Sequence, residues 1–181
     1  MLEKHTQDVK FIKWHPFLDV LFSCSYDDTI RIWLEEDDDW LCSHTLIGHT
    51  STVWGLSISS NGKHLVSCSD DKSIILWECD LPNITVKTVW HQLSKINLHT
   101  DPIYSIDWNQ HNNLILSGGG DNTINIIKCN SNYGDKVLES LVIFPNAHDG
   151  DVNCVRWNPT GYDNLFLSCG DDCLVKIWRY N

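Results

Sequence analysis

The chain has 181 residues, 42% of them hydrophobic and 20% charged, with 13 Lys+Arg against 24 Asp+Glu for a formal net charge of −11. That mix supports a buried core, excludes an ordinary disordered chain and suits one domain. The acidic balance has no Lys/Arg-rich run to offset it locally, which argues against nucleic acid and anionic membrane and favours basic or neutral protein surfaces as partners.

The opening Met1-Leu2-Glu3-Lys4-His5 carries no apolar signal core, and no stretch approaches the ~18 apolar residues of a membrane span, so a soluble, intracellular protein is expected. A first unit then begins at His5-Thr-Gln-Asp-Val9. It continues through the alternating run Val9-Lys-Phe-Ile-Lys-Trp14, a turn at His15-Pro16, the string Ser23-Cys-Ser-Tyr-Asp27, and Ile30-Arg-Ile-Trp33. Alternation in β-branched and aromatic residues is a strand signature. The acidic run Glu35-Glu-Asp-Asp-Asp39 is expected to be a solvated hairpin tip, followed by an outer strand from Trp40 to Leu46.

The second unit runs from His49-Thr-Ser-Thr-Val53 through the turn Asn61-Gly62 and Ser67-Cys-Ser-Asp-Asp71 to Trp77, with an outer strand within Thr85 to Leu98. The third runs from His99-Thr-Asp-Pro-Ile103 through Trp108 and Ser117-Gly-Gly-Gly-Asp121 to Ile127, with an outer strand from Val137 to Phe144. The fourth starts His148-Asp-Gly-Asp-Val152, passes Trp157, the turn Asn158-Pro159-Thr160-Gly161 and Ser168-Cys-Gly-Asp-Asp172, and ends Val175-Lys-Ile-Trp178. Only Arg179-Tyr180-Asn181 follow, so the fourth unit lacks an outer strand and 15 strands are expected, with no helical stripe. The units are 1–47, 48–98, 99–147 and 148–181.

The His-to-His spacings are 44, 50 and 49 residues, and the distance from His to the Trp position is 28, 28, 28 and 30. A four-stranded propeller unit repeats every ~40–45 residues, with loop insertions on top. The pattern resembles the WD40 repeat family, whose unit pairs a Gly-His element with a Ser-x-x-x-Asp turn and a terminal Trp-Asp. Gly48-His49 keeps the full dipeptide; Lys4, Leu98 and Ala147 replace the Gly elsewhere, and Trp-Asp itself never appears. The resemblance implies an all-β, partial β-propeller of four blades out of seven. The three other blades and the closing strand are absent, as in a truncation or a half-length relative.

Ser, His and Asp are also the residue types of a hydrolase triad, but here the trio recurs in every unit, whereas a catalytic site is needed once. The family resemblance implies instead a buried tetrad in each blade: His5, Ser23, Asp27 and Trp33; His49, Ser67, Asp71 and Trp77; His99, Ser117 and Asp121, with Ile127 in the Trp place; His148, Ser168, Asp172 and Trp178. Losing the indole donor should leave the third blade the least tightly latched. Cys24, Cys68 and Cys169 stand three residues before their turn Asp, where the third unit has Gly118, and read as compact apolar residues of inner strands. There is no C-x-x-C pair, and Gly118-Gly119-Gly120 lacks the Lys-Ser/Thr of a phosphate loop, so no metal, cofactor or catalytic residue is expected.

Several strings narrow the resemblance: His5-Thr-Gln-Asp-Val-Lys10, Trp14-His-Pro16, Ser25-Tyr-Asp-Asp-Thr-Ile30, Asp38-Asp39-Trp40, Ser51-Thr-Val-Trp54, Ser67-Cys-Ser-Asp-Asp71 and Asp151-Val-Asn-Cys154. They are similar to the WD40 subunit of the cytosolic iron–sulphur protein assembly targeting complex, over its C-terminal four blades. That implies a non-catalytic adaptor, cytoplasmic and also nuclear, joining other subunits of that complex to apoprotein clients without ligating the cluster. The top face implied to bind partners comprises Asp8, Lys10 and Tyr26; Thr52, Trp54 and Asp70; Pro102, Tyr104 and Gly120; and Asp151, Asn153 and Asp171. Trp54 and Tyr104 would be the anchors, since exposed aromatics dominate binding hot spots; the competing role for Trp54 is packing between blades. An open arc also exposes apolar faces, which points to self-association, as in a two-fold pair of arcs, or to docking onto the missing half. The alternatives are a generic WD40 interaction module, such as a ubiquitin-ligase substrate receptor, for which the Trp-Asp-x-Arg box is missing, and a fragment without independent function.

Overall fold

A computed structural model describes residues 1–80, 84–130, 137–160 and 164–181. Every element among them is a β-strand. The first sheet comprises β1 (Val9–Trp14), β2 (Val20–Ser25), β3 (Thr29–Glu36) and β4 (Asp39–Ile47), and the second β5 (Val53–Ile58), β6 (His64–Ser69), β7 (Ser73–Cys79) and β8 (Trp90–Asn97). The third comprises β9 (Ile103–Trp108), β10 (Leu114–Gly119), β11 (Ile124–Cys129) and β12 (Leu138–Phe144); the fourth has only β13 (Val152–Trp157), β14 (Leu165–Gly170) and β15 (Val175–Arg179). Each sheet is an antiparallel meander in chain order, and the first strands of successive sheets lie side by side, β1 by β5, β5 by β9 and β9 by β13. These are four propeller blades in an arc, the last without an outer strand, as the repeat arithmetic requires.

Two-residue alternation gives each blade two apolar faces, so the core lies between blades. Phe22, Ile30, Ile32 and Leu34 of the first blade pack on Val53, Leu56, Leu65 and Trp77 of the second. Val66, Cys68, Ile74 and Leu76 then meet Ile103, Ile106, Trp108 and Ile115, and Leu114, Leu116, Ile124 and Ile126 meet Val152, Val155, Trp157 and Phe166. Polar rungs stitch the first strands together. Ser57 Oγ accepts the Trp108 N–H at 3.0 Å, and Asp107 accepts the Trp157 N–H at 2.8 Å and the Ser57 hydroxyl at 3.3 Å.

The same tight turn joins the second and third strands of every blade. The residue directly after the turn Asp is left-handed each time: Asp28, Lys72, Asn122 and Cys173, with φ between 62° and 67°. The acidic run forms the expected hairpin tip, with Asp37 and Asp38 both left-handed as a two-residue turn demands. At the fourth-blade turn Asn158 Oδ1 accepts the Thr160 N–H at 3.1 Å, while Gly161 lies outside the described residues.

Each end of the arc presents an uncovered face. Ile12 is 59% exposed where its counterpart Leu56 is 1%, and Val175 and Ile177 are 73% and 78% exposed where Ile74 and Leu76 are 0%. Val9, Trp14 and Leu167 are likewise exposed. Burying one such side chain is worth ~1.5–3 kcal/mol, which both ends forgo.

Candidate functional site

The tetrads form as the sequence implies. In the first blade the Trp33 indole N–H donates to Ser23 Oγ at 2.8 Å, Ser23 Oγ meets His5 Nε2 at 2.8 Å, and His5 Nδ1 meets Asp27 at 2.8 Å. The second blade repeats this with Trp77, Ser67, His49 and Asp71, and the fourth with Trp178, Ser168, His148 and Asp172. The set is consistent with one polarity: indole to hydroxyl, hydroxyl to Nε2, and Nδ1–H to carboxylate. The four serines are sealed beneath this network, none more than 3% exposed.

Each Asp does more than hold its His. Asp27 also accepts the Thr6 N–H at 3.0 Å, the Thr29 N–H at 3.1 Å and the Thr29 hydroxyl at 2.6 Å, so it ties the entry loop to the turn. Burial opposes its ionisation, but the bonds from Thr29, Thr6 and His5 outweigh that and hold its carboxyl down at about 2. Asp71, Asp121 and Asp172 are likewise held well below the usual carboxylate range, their own hydrogen bonds outweighing burial. The hydroxyl two residues after the Asp is a fifth member that the four-residue pattern misses: Thr29, Ser73 and Thr123. In the fourth blade Leu174 supplies only its N–H, and the Lys176 ammonium stands 3.4 Å from Asp172.

In the third blade His99 keeps Asp121 at 2.9 Å and Ser117 at 2.8 Å, and Ile127 leaves Ser117 without an indole, as expected. Asn125, two residues earlier on β11, places Nδ2 3.0 Å from His99 Nε2 and is fully buried. Asn125 thus brings an amide to the imidazole, while no side-chain donor among the described residues takes the indole's place at Ser117 Oγ.

At the end of the arc that carries these turns, Tyr26, Trp54 and Tyr104 form a row across three blades. The Tyr26 and Trp54 rings are 6.1 Å apart and the Trp54 and Tyr104 rings 5.7 Å, both edge to face. The Lys10 ammonium sits 4.6 Å over the Tyr26 ring and 5.5 Å from that of Trp54, and is anchored to Asp8 at 3.2 Å. Carboxylates line the row. Asp70 accepts the Ser51 hydroxyl at 3.1 Å, Asp171 accepts Asn153 Nδ2 at 2.6 Å, and Asp151 adds its charge beside the Tyr104 phenol. Burial and then Asp151 push that phenol above its ordinary range.

Of the positions read from the sequence, Thr52 withholds its side chain and Gly120 has none, while Pro102 is partly exposed. Thr52 is buried and uses its carbonyl to accept the Asp70 N–H at 2.9 Å. The Pro102 carbonyl accepts the Gly120 N–H at 2.8 Å, and Gly120 keeps open the space beside the Tyr104 hydroxyl, which an added Cβ would approach to 3.4 Å. Trp54 is half-buried against the core between the second and third blades, the packing role named for it, while its ring also forms the centre of the surface row.

Among the described residues no three His, Cys, Asp or Glu side chains gather as metal ligands, and no helix is long and apolar enough to cross a membrane. Cys24 and Cys68 are buried between blades, where burial pushes their thiols up, and the Cys129 thiol is raised to about 11 for the same reason.

Comparison with known proteins places these repeats. Residues 1–33, 40–78, 90–128 and 139–179 match the WD domain, G-beta repeat family. A probable cytosolic iron-sulfur protein assembly protein CIAO1 homolog of Ixodes scapularis is 38% identical over 67% of this chain and 38% of its own length. The probable cytosolic iron-sulfur protein assembly protein Ciao1 of Aedes aegypti is 36% identical over 84% of this chain and 48% of its own. For the corresponding protein 1 of Yarrowia lipolytica the identity is 41%, over 79% and 47%. The chain thus spans about half the length of these relatives or less. The solved structure of U3-55K superposes with a TM-score of 0.79 at 20% identity, over 99% of this chain and 51% of that one, which supports the fold.

Proposed function

The chain belongs to the WD40 repeat family, and from that premise we propose that it is a non-catalytic adaptor in cytosolic and nuclear iron–sulphur protein maturation. It would link other subunits of the assembly targeting complex to apoprotein clients, with the cluster as cargo passed between partners. The observation that carries a binding role is the row Tyr26–Trp54–Tyr104, an aromatic surface edged by Asp70, Asp151 and Asp171. Aromatic anchors of this kind dominate protein interfaces, and the acidic edge suits a partner with basic side chains. Support for the pathway comes from the relatives' names, and for a non-catalytic role from the enclosure of all four Ser–His–Asp sets. A cytoplasmic location follows from the same reading.

The uncovered end faces are assigned to a second copy of the chain. Leu167, Val175 and Ile177 match Val66, Ile74 and Leu76, the face that the second blade already packs against the third, and the face around Ile12 is the counterpart of the one around Leu56. The chain therefore carries both halves of an interface it makes three times within itself. The adaptor role is tested by affinity capture from cell extract with the parent chain and a Trp54→Ala variant. Recovery of the assembly-complex subunits by the parent and their loss with the variant are expected; their absence from both would overturn the reading.

A further inference from the structure

Of the eight cysteines, only Cys154 and Cys169 face each other as register partners, across β13 and β14 beside the bulge between Val152 and Cys154. The corresponding pairs are Phe11 with Cys24, Gly55 with Cys68, and Ser105 with Gly118. In each blade with a second-strand cysteine, its sulphur takes a hydrogen bond from the backbone N–H at the bulge, from Phe11, Gly55 or Cys154. That bond accounts for a cysteine on the second strand. It leaves unexplained why a second thiol stands opposite it in the fourth blade.

The second blade shows the geometry that results. A Cβ built on Gly55 would lie 3.1 Å from Cys68 Sγ. With an S–S bond of ~2.05 Å, the Cβ of one half-cystine lies about 3 Å from the sulphur of the other. Register partners on antiparallel strands also keep their Cα atoms ~4.5–5.5 Å apart, inside the range a disulfide spans. The fourth blade puts a side chain where the second has glycine, so that two thiols stand opposite each other across the strand pair, and Cys154 helps raise the Cys169 thiol. Both are half-buried in the blade whose outer face is uncovered, whereas Cys24 and Cys68 are sealed between blades.

We infer that Cys154 and Cys169 are a redox-responsive dithiol that closes to an intramolecular disulfide by exchange with a glutathione-type disulfide. One thiolate attacks oxidised glutathione, forming a mixed disulfide and releasing one glutathione; the second thiolate attacks the protein sulphur and releases the other. Two protein thiols become one disulfide, their two electrons reduce the oxidant, and their two protons finish on the released glutathione thiols. The bond staples the first two strands of the one blade that lacks a fourth. Burial, and then the neighbouring Cys154, hold the Cys169 thiol above its ordinary value, so exchange quickens as pH rises. In a reducing cytosol the pair rests as the dithiol and closes when the glutathione pool is oxidised.

The test equilibrates the reduced full chain in buffers of stepped oxidised-to-reduced glutathione ratio, traps the remaining thiols by alkylation, and reads intact mass and mapped peptides. The expected result is loss of the mass of two hydrogens, a peptide joining Cys154 to Cys169, and a melting temperature several degrees above that of the reduced chain. Cys154→Ser and Cys169→Ser should each abolish the loss, while Cys173→Ser should leave it. A stable glutathione adduct on either cysteine without the cross-link, a cross-link to Cys173, or no reaction at any ratio would overturn the inference. The mapping of the parent chain stands even where a variant folds poorly.

Discussion

Asn125 and His99 are hydrogen-bonded at 3.0 Å in the one blade whose indole has been replaced by Ile127. The amide takes over at the imidazole the support that a Trp elsewhere gives through serine. Truncating it leaves a buried His with one partner fewer, a loss of ~1–3 kcal/mol. Asn125→Ala should therefore lower stability by roughly that amount in chemical denaturation, and speed hydrogen exchange most in the third blade. An unchanged midpoint would show that Asn125 only fills space.

Acid should unfold the protein in two stages. Burial holds His15 and His64 below the ordinary imidazole range, so the unfolded chain takes up protons before the folded one, and stability declines as pH falls below ~6.5. The depressed carboxyl of Asp27, at about 2, contributes fully above the unfolded value of ~3.9 and is lost as pH falls towards 2, roughly 2 kcal/mol in all; the other three tetrad aspartates follow at lower pH. His15→Asn, which introduces the residue found at the equivalent Asn109 and Asn158, should flatten much of the first decline. Melting temperatures across pH 7 to 2 check both stages.

Trp54→Ala should cost ~2 kcal/mol or more of binding to a captured assembly subunit, while Asn153→Ala, at the exposed rim, should cost less than ~1 kcal/mol. Titration calorimetry with the purified subunit separates the two, and equal losses would move the anchor away from the aromatic row.

Ile177→Lys and Ile12→Lys lie on opposite end faces and should each shift the chain towards monomer in sedimentation velocity. As both positions are largely exposed within one chain, the stability of the isolated arc should change by no more than ~0.5 kcal/mol. A parent chain that sediments as a monomer at all concentrations would contradict the pairing.

Most of the fold was legible because each unit repeats its chemistry: Ser, His and Asp at nearly fixed spacing, with a Trp after them in three of the four units and alternation between them. What could not be read were relationships that cross strands or blades. Asn125 stands two positions from the missing indole on its own strand and meets His99 rather than Ser117, which no spacing rule announces. The burial of Thr52 depends on how the entry loop meets the Asp70 turn. Trp54 could be ranked above its neighbours by residue type, but its contact with Tyr104 depends on the curvature that brings two blades together.

Because the apolar contacts lie between blades, each blade is held by its neighbours more than by itself. The middle two have support on both sides, the outer two on one. Such a stack loses order from its extremities inwards, so partners that grip the rim of the row would act as splints, and the second and third blades would be the last part of the molecule to melt.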